Sequence, residues 1–493
     1  MKSLSLLIDR LLVIAVAVLI TAIPLYPKFP ALRVAESHVY VRVDDFLVAA
    51  ALGLTFLAFW RRRKEVFSCS VGRFIILYWG AGLISLFSAI FINHLVIPHL
   101  AVLHYLRRIE YMGLFFLGFL AIKTKRQLKD LFFFLFLTLV LIFFYGLGQK
   151  FFGFPVVSTM NKEFAKGRLL HLDVWTRVSA TFAGHYDLAA YLSLLFPLIL
   201  TAIFSIKNKK NALPISLVYL SSYYLLILTA SRVSFFSYLL SVSFFLLLLK
   251  KRILWIIVVV LSLLGALFSQ DINQRFAATV KVGFPKLTKQ LASIFPAKEA
   301  PSLHFNESED EPLPTVTPTP TVAPAYTAGG KYSLTPTPLV KVTPKEATAP
   351  SLSRQEAVEI GVERSGNIRF QVEWPRAIKH FLINPLLGTG YSSLTLATDN
   401  DFLRALGETG LLGFLSFFSV PMSAFLFFYR IFKKEKAVFE KQLAAAGMAL
   451  ILAMLLNAFF IDVFEASKVA YTFWLLIGSL IGFLSSSKIL KKQ

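Results

Sequence analysis

Long apolar runs, each near the length that crosses a hydrocarbon core, recur along this chain with short polar breaks between them. The pattern predicts helical spans near 9–25, 43–60, 73–93, 108–122, 129–149, 188–206, 212–230, 233–249, 253–269, 407–429, 443–463 and 468–485, about twelve in all. A membrane barrel would instead show short alternating segments. The expected fold class is all-α, a polytopic transmembrane helical bundle with one large loop that carries short helices. Residues 1–269 form an N-terminal bundle of about nine spans, 270–406 the loop, and 407–493 the C-terminal spans. Within the loop, Asp271–Phe295 spaces apolar residues helically with lysines between them, which predicts an amphipathic helix on the membrane surface. Residues 297–350 are dominated by Pro, Thr, Ala and Ser and cannot bury a core, so a disordered insert is expected there. Asn306 begins an N-glycosylation triplet, a pattern frequent by chance. From Ser353 to Leu382 the sequence is again helical in character.

Charge orients the spans. The chain is 56% hydrophobic and only 16% charged, yet its net charge is +23. In a soluble protein that excess would suggest nucleic acid; here the basic residues gather in short clusters between apolar runs. They fall at Arg61–Lys64, Lys123–Arg126, Lys207–Lys210, Lys250–Arg252, Lys433–Lys436 and Lys488–Lys492, which are alternate breaks. By the positive-inside rule these breaks and both termini are cytoplasmic, and the large loop is extracytoplasmic. Lys2 and Arg10 precede the first apolar run, but no small-residue cleavage site follows, so that run is expected to stay as a span. The single cysteine, Cys69, excludes an internal disulfide and a cysteine-based metal cluster.

Polar residues that belong to no basic cluster collect on the opposite face. Arg177 precedes the span near 188–206, Arg232 sits in the short break after Ser231, and Arg369 and Arg376 lie late in the loop. Asp399, Asn400, Asp401, Arg404 and Glu408 follow where the chain re-enters apolar sequence, between two glycine pairs, Gly388/Gly390 and Gly410/Gly413. Any one arginine at a helix end could simply snorkel to lipid phosphate. Several on one face beside a carboxylate point to an anion site, because guanidinium groups contact phosphate bidentately. His185 faces the same way and is either structural or catalytic. Asp399 either accepts a proton or caps a helix beginning near Asp401. No set of residues has metal-ligand spacing, and no glycine-rich phosphate loop follows a strand.

These stretches resemble the O-antigen ligase and O-antigen polymerase superfamily of bacterial envelope proteins. Asp399-Asn400, nine residues and Gly410-Leu-Leu-Gly413 match the ligase pattern except that Asp stands where ligases carry His. Arg369, Trp374 and Asn384-Pro385-Leu-Leu-Gly388-Thr-Gly390 resemble a second family segment, and Arg177–Leu192 with Ser231-Arg232 resemble its arginine-bearing stretches. The resemblance implies a membrane glycosyltransferase at the outer face of the cytoplasmic membrane. The donor is an undecaprenyl-pyrophosphate-linked glycan and the acceptor a hydroxyl on a glycan or lipid. Neither cofactor, metal nor nucleotide is implied. Asp399, Arg369 and Arg232 would be catalytic, with Arg177, His185, Asn400, Arg404 and Glu408 binding substrate. Two rivals stand beside this reading. One is a lipid-linked glycan transporter or flippase, which mid-span polar residues in related halves would favour. The other is a scaffold whose Pro/Thr loop reaches outward.

Overall fold

The computed structural model describes residues 2–33, 40–159, 166–167, 169–171, 177–206, 208–283, 366–394 and 397–486. The Pro/Thr insert, Asn306, most of the second half of Asp271–Phe295, residues 353–365 and the C-terminal lysines lie outside them. The described residues are overwhelmingly helical. In chain order the helices are α1 Lys2–Leu25, α2 Val43–Arg61, α3 Arg63–Ser68, α4 Ser70–Phe87, α5 Pro98–Ala121, α6 Lys125–Phe152, α7 His185–Ser205 and α8 Lys209–Leu228. Then come α9 Arg232–Leu248, α10 Arg252–Phe268, α11 Gln270–Gly283, α12 Trp374–Ile383, α13 Asp401–Lys434, α14 Val438–Ala458 and α15 Ser467–Ser486. Two small antiparallel pairs interrupt the connections: β1 Pro30–Arg33 with β2 Tyr40–Arg42, and β3 Val156–Val157 with β4 Leu169–Leu170.

This is an all-α protein with several membrane-length helices. Among the described residues eight helices are long and apolar enough to cross a membrane, or nine if α10 and α11, bent by 88° at their junction, count as one. Each of the twelve expected segments is helical, but not every one meets that standard. In α8 and α9 the apolar stretches Ala212–Leu228 and Arg232–Leu248 are short. Helix α5 carries Arg107, Arg108 and Glu110. It also starts ten residues before the expected boundary, with Pro98 in its first turn, where the missing N–H has no intrahelical partner to lose. Its charges are held inside the protein: Arg107 pairs with Asp45 at 3.1 Å, and Arg108 pairs with Glu465.

Helices α7, α14 and α15 are the most enclosed, and the others surround them. Small residues explain how tightly α15 meets α5. A Cβ added at Gly478 would lie 2.0 Å from the Phe115 carbonyl oxygen, and one at Gly118 would lie 2.4 Å from that of Leu475. Backbones can approach this closely only where side chains are absent, the usual device between helices in lipid. Asn457, fully buried on α14, ties three helices together: its Nδ2 donates to Ser193 on α7 at 3.0 Å and Ser237 on α9 at 2.8 Å, and its Oδ1 accepts from Ser234 at 2.8 Å. Two of the basic breaks meet at one end, where Lys123 and Arg62 both pair with Glu65 and Lys125 pairs with Glu440 at 3.3 Å. The first turns of α7, α9 and α13 lie at the other end.

Candidate functional site

The Asn384–Gly390 segment and the start of α13 are one construction. Gly410 breaks α13 with φ 62° and ψ −167°, a region open essentially to glycine alone. The break frees backbone groups, and the preceding loop takes them up. Thr389 N–H donates to Gly407 O at 3.0 Å and Gly390 N–H to Glu408 O at 2.8 Å. Beyond the break, Leu411 N–H donates to Pro385 O at 2.8 Å and Leu412 N–H to Leu386 O at 3.1 Å. The contact leaves no room for side chains, since a Cβ at Gly388 would lie 2.4 Å from the Glu408 carbonyl. The two glycine-bearing motifs therefore serve one purpose: they hold the first turns of α13 in a set position against the loop.

That position is set further by Asp462, which links α14 to α15. Its carboxylate accepts from Thr398 N–H at 2.9 Å and Asn400 N–H at 3.0 Å, gripping the backbone on either side of Asp399. Asp399 itself has φ 48°, the left-handed region, where Asp, Asn and His are the non-glycine residues most often found. Both Asp and the His of the ligase pattern suit this backbone. The helix cap is Asn400, whose Oδ1 accepts from Leu403 N–H at 3.0 Å. Asp399 is therefore not the capping residue. It points instead to Arg369, whose Nε and Nη2 both reach Asp399 Oδ2 at 2.8 Å. Burial raises the Asp399 carboxyl above its ordinary range; Arg369 opposes this and nearby Asp462 adds to it.

Tyr186 joins the remaining arginines to this pair. Arg177 and Arg369 both lie within electrostatic reach of its hydroxyl. The Arg177 guanidinium also lies 5.6 Å from the centre of the Tyr186 ring and donates to His185 Nε2. A guanidinium has no acceptor, so His185 Nε2 carries no proton in this contact. Arg232, the first residue of α9, lies in the electrostatic range of Tyr186, Arg177 and Arg369, and it donates to the Arg275 carbonyl at 3.2 Å. Arg275 comes from α11, which folds back across the bundle end and packs Phe276 on Phe235 and Phe236. Arg177, His185, Arg232, Arg369 and Asp399 therefore meet around Tyr186. These residues come from three parts of the chain, separated by dozens of residues. Three guanidinium groups face one directly paired carboxylate, leaving an excess of positive charge suited to a polyanion.

Arg404 and Glu408 fall elsewhere. Both project inward from α13 and are buried. Arg404 pairs with Asp462 at 3.1 Å and Glu408 at 3.3 Å, and Glu408 lies 3.7 Å from Arg108. Asp401 accepts from Phe464 N–H at 3.1 Å. Between them lies a cavity of about 20 Å³ that also touches Tyr78 and Tyr391. It has room for roughly one water molecule. The geometry makes Asn400, Arg404 and Glu408 parts of the frame and leaves the arginine cluster as the candidate site. Arg376, expected in that group, donates to the Ala397 carbonyl at 2.8 Å.

Three residues at the bundle end escaped the sequence reading. Tyr186 stands beside His185 in the first turn of α7, and its aromatic ring alone carries no signal. Asp462 falls inside the segment expected to be the span 443–463, whereas α14 ends at Ala458 and leaves it in the connection to α15. Glu373 sits in RFQVEW between two recognised positions, masked by Arg369 and Trp374. The chain matches no family model and no curated protein.

Proposed function

We propose that the protein transfers or polymerises a glycan from a polyprenyl-diphosphate carrier onto an acceptor hydroxyl, as the resemblance to O-antigen ligases and polymerases suggests. The observation that carries this reading is the convergence of Arg177, Arg232 and Arg369 on Tyr186, with Asp399 paired to Arg369, at one end of the bundle. The diphosphate leaves as a polyanion, so guanidinium groups placed beforehand stabilise charge that grows in the transition state. A carboxylate nearby suits both the departing proton and an oxocarbenium-like centre. The basic breaks alternate along the chain with the segments that carry the arginine cluster, so in this reading the cluster faces outward from the cytoplasmic membrane and both termini face inward. All twelve helical segments then act as spans, with α5 admitted because its charges pair internally. An impermeant thiol reagent should label a cysteine placed at Ser302 in intact cells; protection there would invert the orientation.

Purified full-length protein in nanodiscs, given a polyprenyl-diphosphate-linked oligosaccharide and a glycan acceptor, should form a new glycosidic bond and release lipid diphosphate. Mass spectrometry reads both products. Movement of the lipid-linked glycan across vesicles with no new bond would establish a transporter instead.

A further inference from the structure

We propose that Glu373 takes the proton from the attacking acceptor hydroxyl, and that Asp399 positions Arg369. The assignment rests on the glycosyl-transfer reading above. Glu373 closes the π-helical turn Ile368–Glu373, in which Arg369 also lies. Glu373 follows Arg369 by four positions, which places them on neighbouring parts of one face. Such wide turns recur at functional sites. Glu373 is 8% exposed, and among the described residues its Oε2 meets no hydrogen-bond partner. A buried carboxylate oxygen without a donor is costly to maintain, and more so when charged. Asp399 differs, because its Oδ2 already accepts two N–H groups from Arg369.

The surroundings of Glu373 tune it for proton transfer. Burial, with Asp399 and Asp462 adding negative charge, raises its carboxyl to about 7 against the opposing pull of Arg369 and Arg376. A general base works best with a pKa near the operating pH. In the step, the acceptor O–H bond breaks and its proton goes to Glu373 Oε2. The freed electron pair forms the bond to the anomeric carbon. The bond from that carbon to the diphosphate oxygen breaks, and the pair leaves on the lipid diphosphate beside Arg177, Arg232 and Arg369. Glu373 then returns its proton to water.

The test uses the full chain in nanodiscs and follows two quantities: glycosidic bond formation, and binding of polyprenyl diphosphate without glycan. Glu373→Gln should lower transfer by about 10²–10⁴-fold while leaving diphosphate binding within about threefold. Glu373→Asp should recover part of the rate. Wild-type transfer should fall as pH drops below about 7, since the carboxylate must be ionised to accept a proton. The glutamine variant should lack this acid limb. Asp399→Asn removes a negative neighbour, so the limb should move to lower pH. If Glu373→Gln transfers at the wild-type rate while the wild type is active, the proton goes elsewhere and the glycosyl-transfer reading survives. If Glu373→Gln loses diphosphate binding together with transfer, the residue is structural and the assignment fails. If the wild type forms no glycosidic bond, both readings fall.

Discussion

Two charged clusters stand side by side at the same end of the bundle, built from the same residue types, and they do opposite things. Around Arg404 the acids outnumber the bases: Asp401, Glu408, Asp462 and Glu465 face Arg108 and Arg404, and Glu408 is 2% exposed. Each carboxylate there has an arginine or a backbone N–H. Around Tyr186 the bases outnumber the acids, and the Asp399 side chain is still 33% exposed. The first cluster is closed and joins α5, α13 and the break before α15. The second is half open and, among the described residues, holds more arginines than carboxylates. Arginine near a membrane boundary therefore does not by itself mark a site. What distinguishes the two is whether the charge is already answered within the protein.

Substitutions in the two clusters should separate stability from chemistry. The largest effect is expected in the closed cluster. Arg404→Met removes the guanidinium shared by Asp462 and Glu408 and should cost about 3–5 kcal/mol of stability, read as a loss of helical signal at lower temperature in detergent. A melting curve equal to wild type would show that the network is not structural. In the open cluster, Arg369→Lys and Arg232→Lys keep the charge but lose the planar fork. Each should lower transfer by about 10- to 100-fold with little change in melting. Equal rates would mean that the site does not grip a phosphate through paired N–H bonds. The smallest effect belongs to the residue between the clusters. Asn400→Ala should cost about 1 kcal/mol of stability as a lost cap and leave transfer nearly unchanged, while Asn400→Asp restores the cap. Loss of transfer without loss of stability would return Asn400 to the substrate-binding set.

Much of the candidate site was legible in the sequence, and the reason is topological. Alternating basic breaks predicted which loops share a face, so Arg177, Arg232, Arg369 and Asp399 could be grouped without any contact being known. Within that group, role was not legible. Asp399 and Asn400 are adjacent and both suit a helix cap, yet only Asn400 caps, because the left-handed backbone at Asp399 turns its side chain toward Arg369. Arg404 reads like the other arginines in the sequence. It points inward because it lies one helical turn before Glu408, on the side of α13 that meets Asp462.

By itself the sequence determined the helical class, the approximate places of the helices and the gathering of chemistry at one end. Apolar length and the cost of burying unpaired backbone in lipid leave little other choice. Only the tertiary structure decided which charges pair with one another and where the remaining arginines collect. Pairing depends on distances of a few ångströms between residues far apart in the chain, as between Arg108 and Glu465, and on single backbone angles such as those at Asp399 and Gly410. Neither is encoded in hydrophobic periodicity or in the sign of a charge.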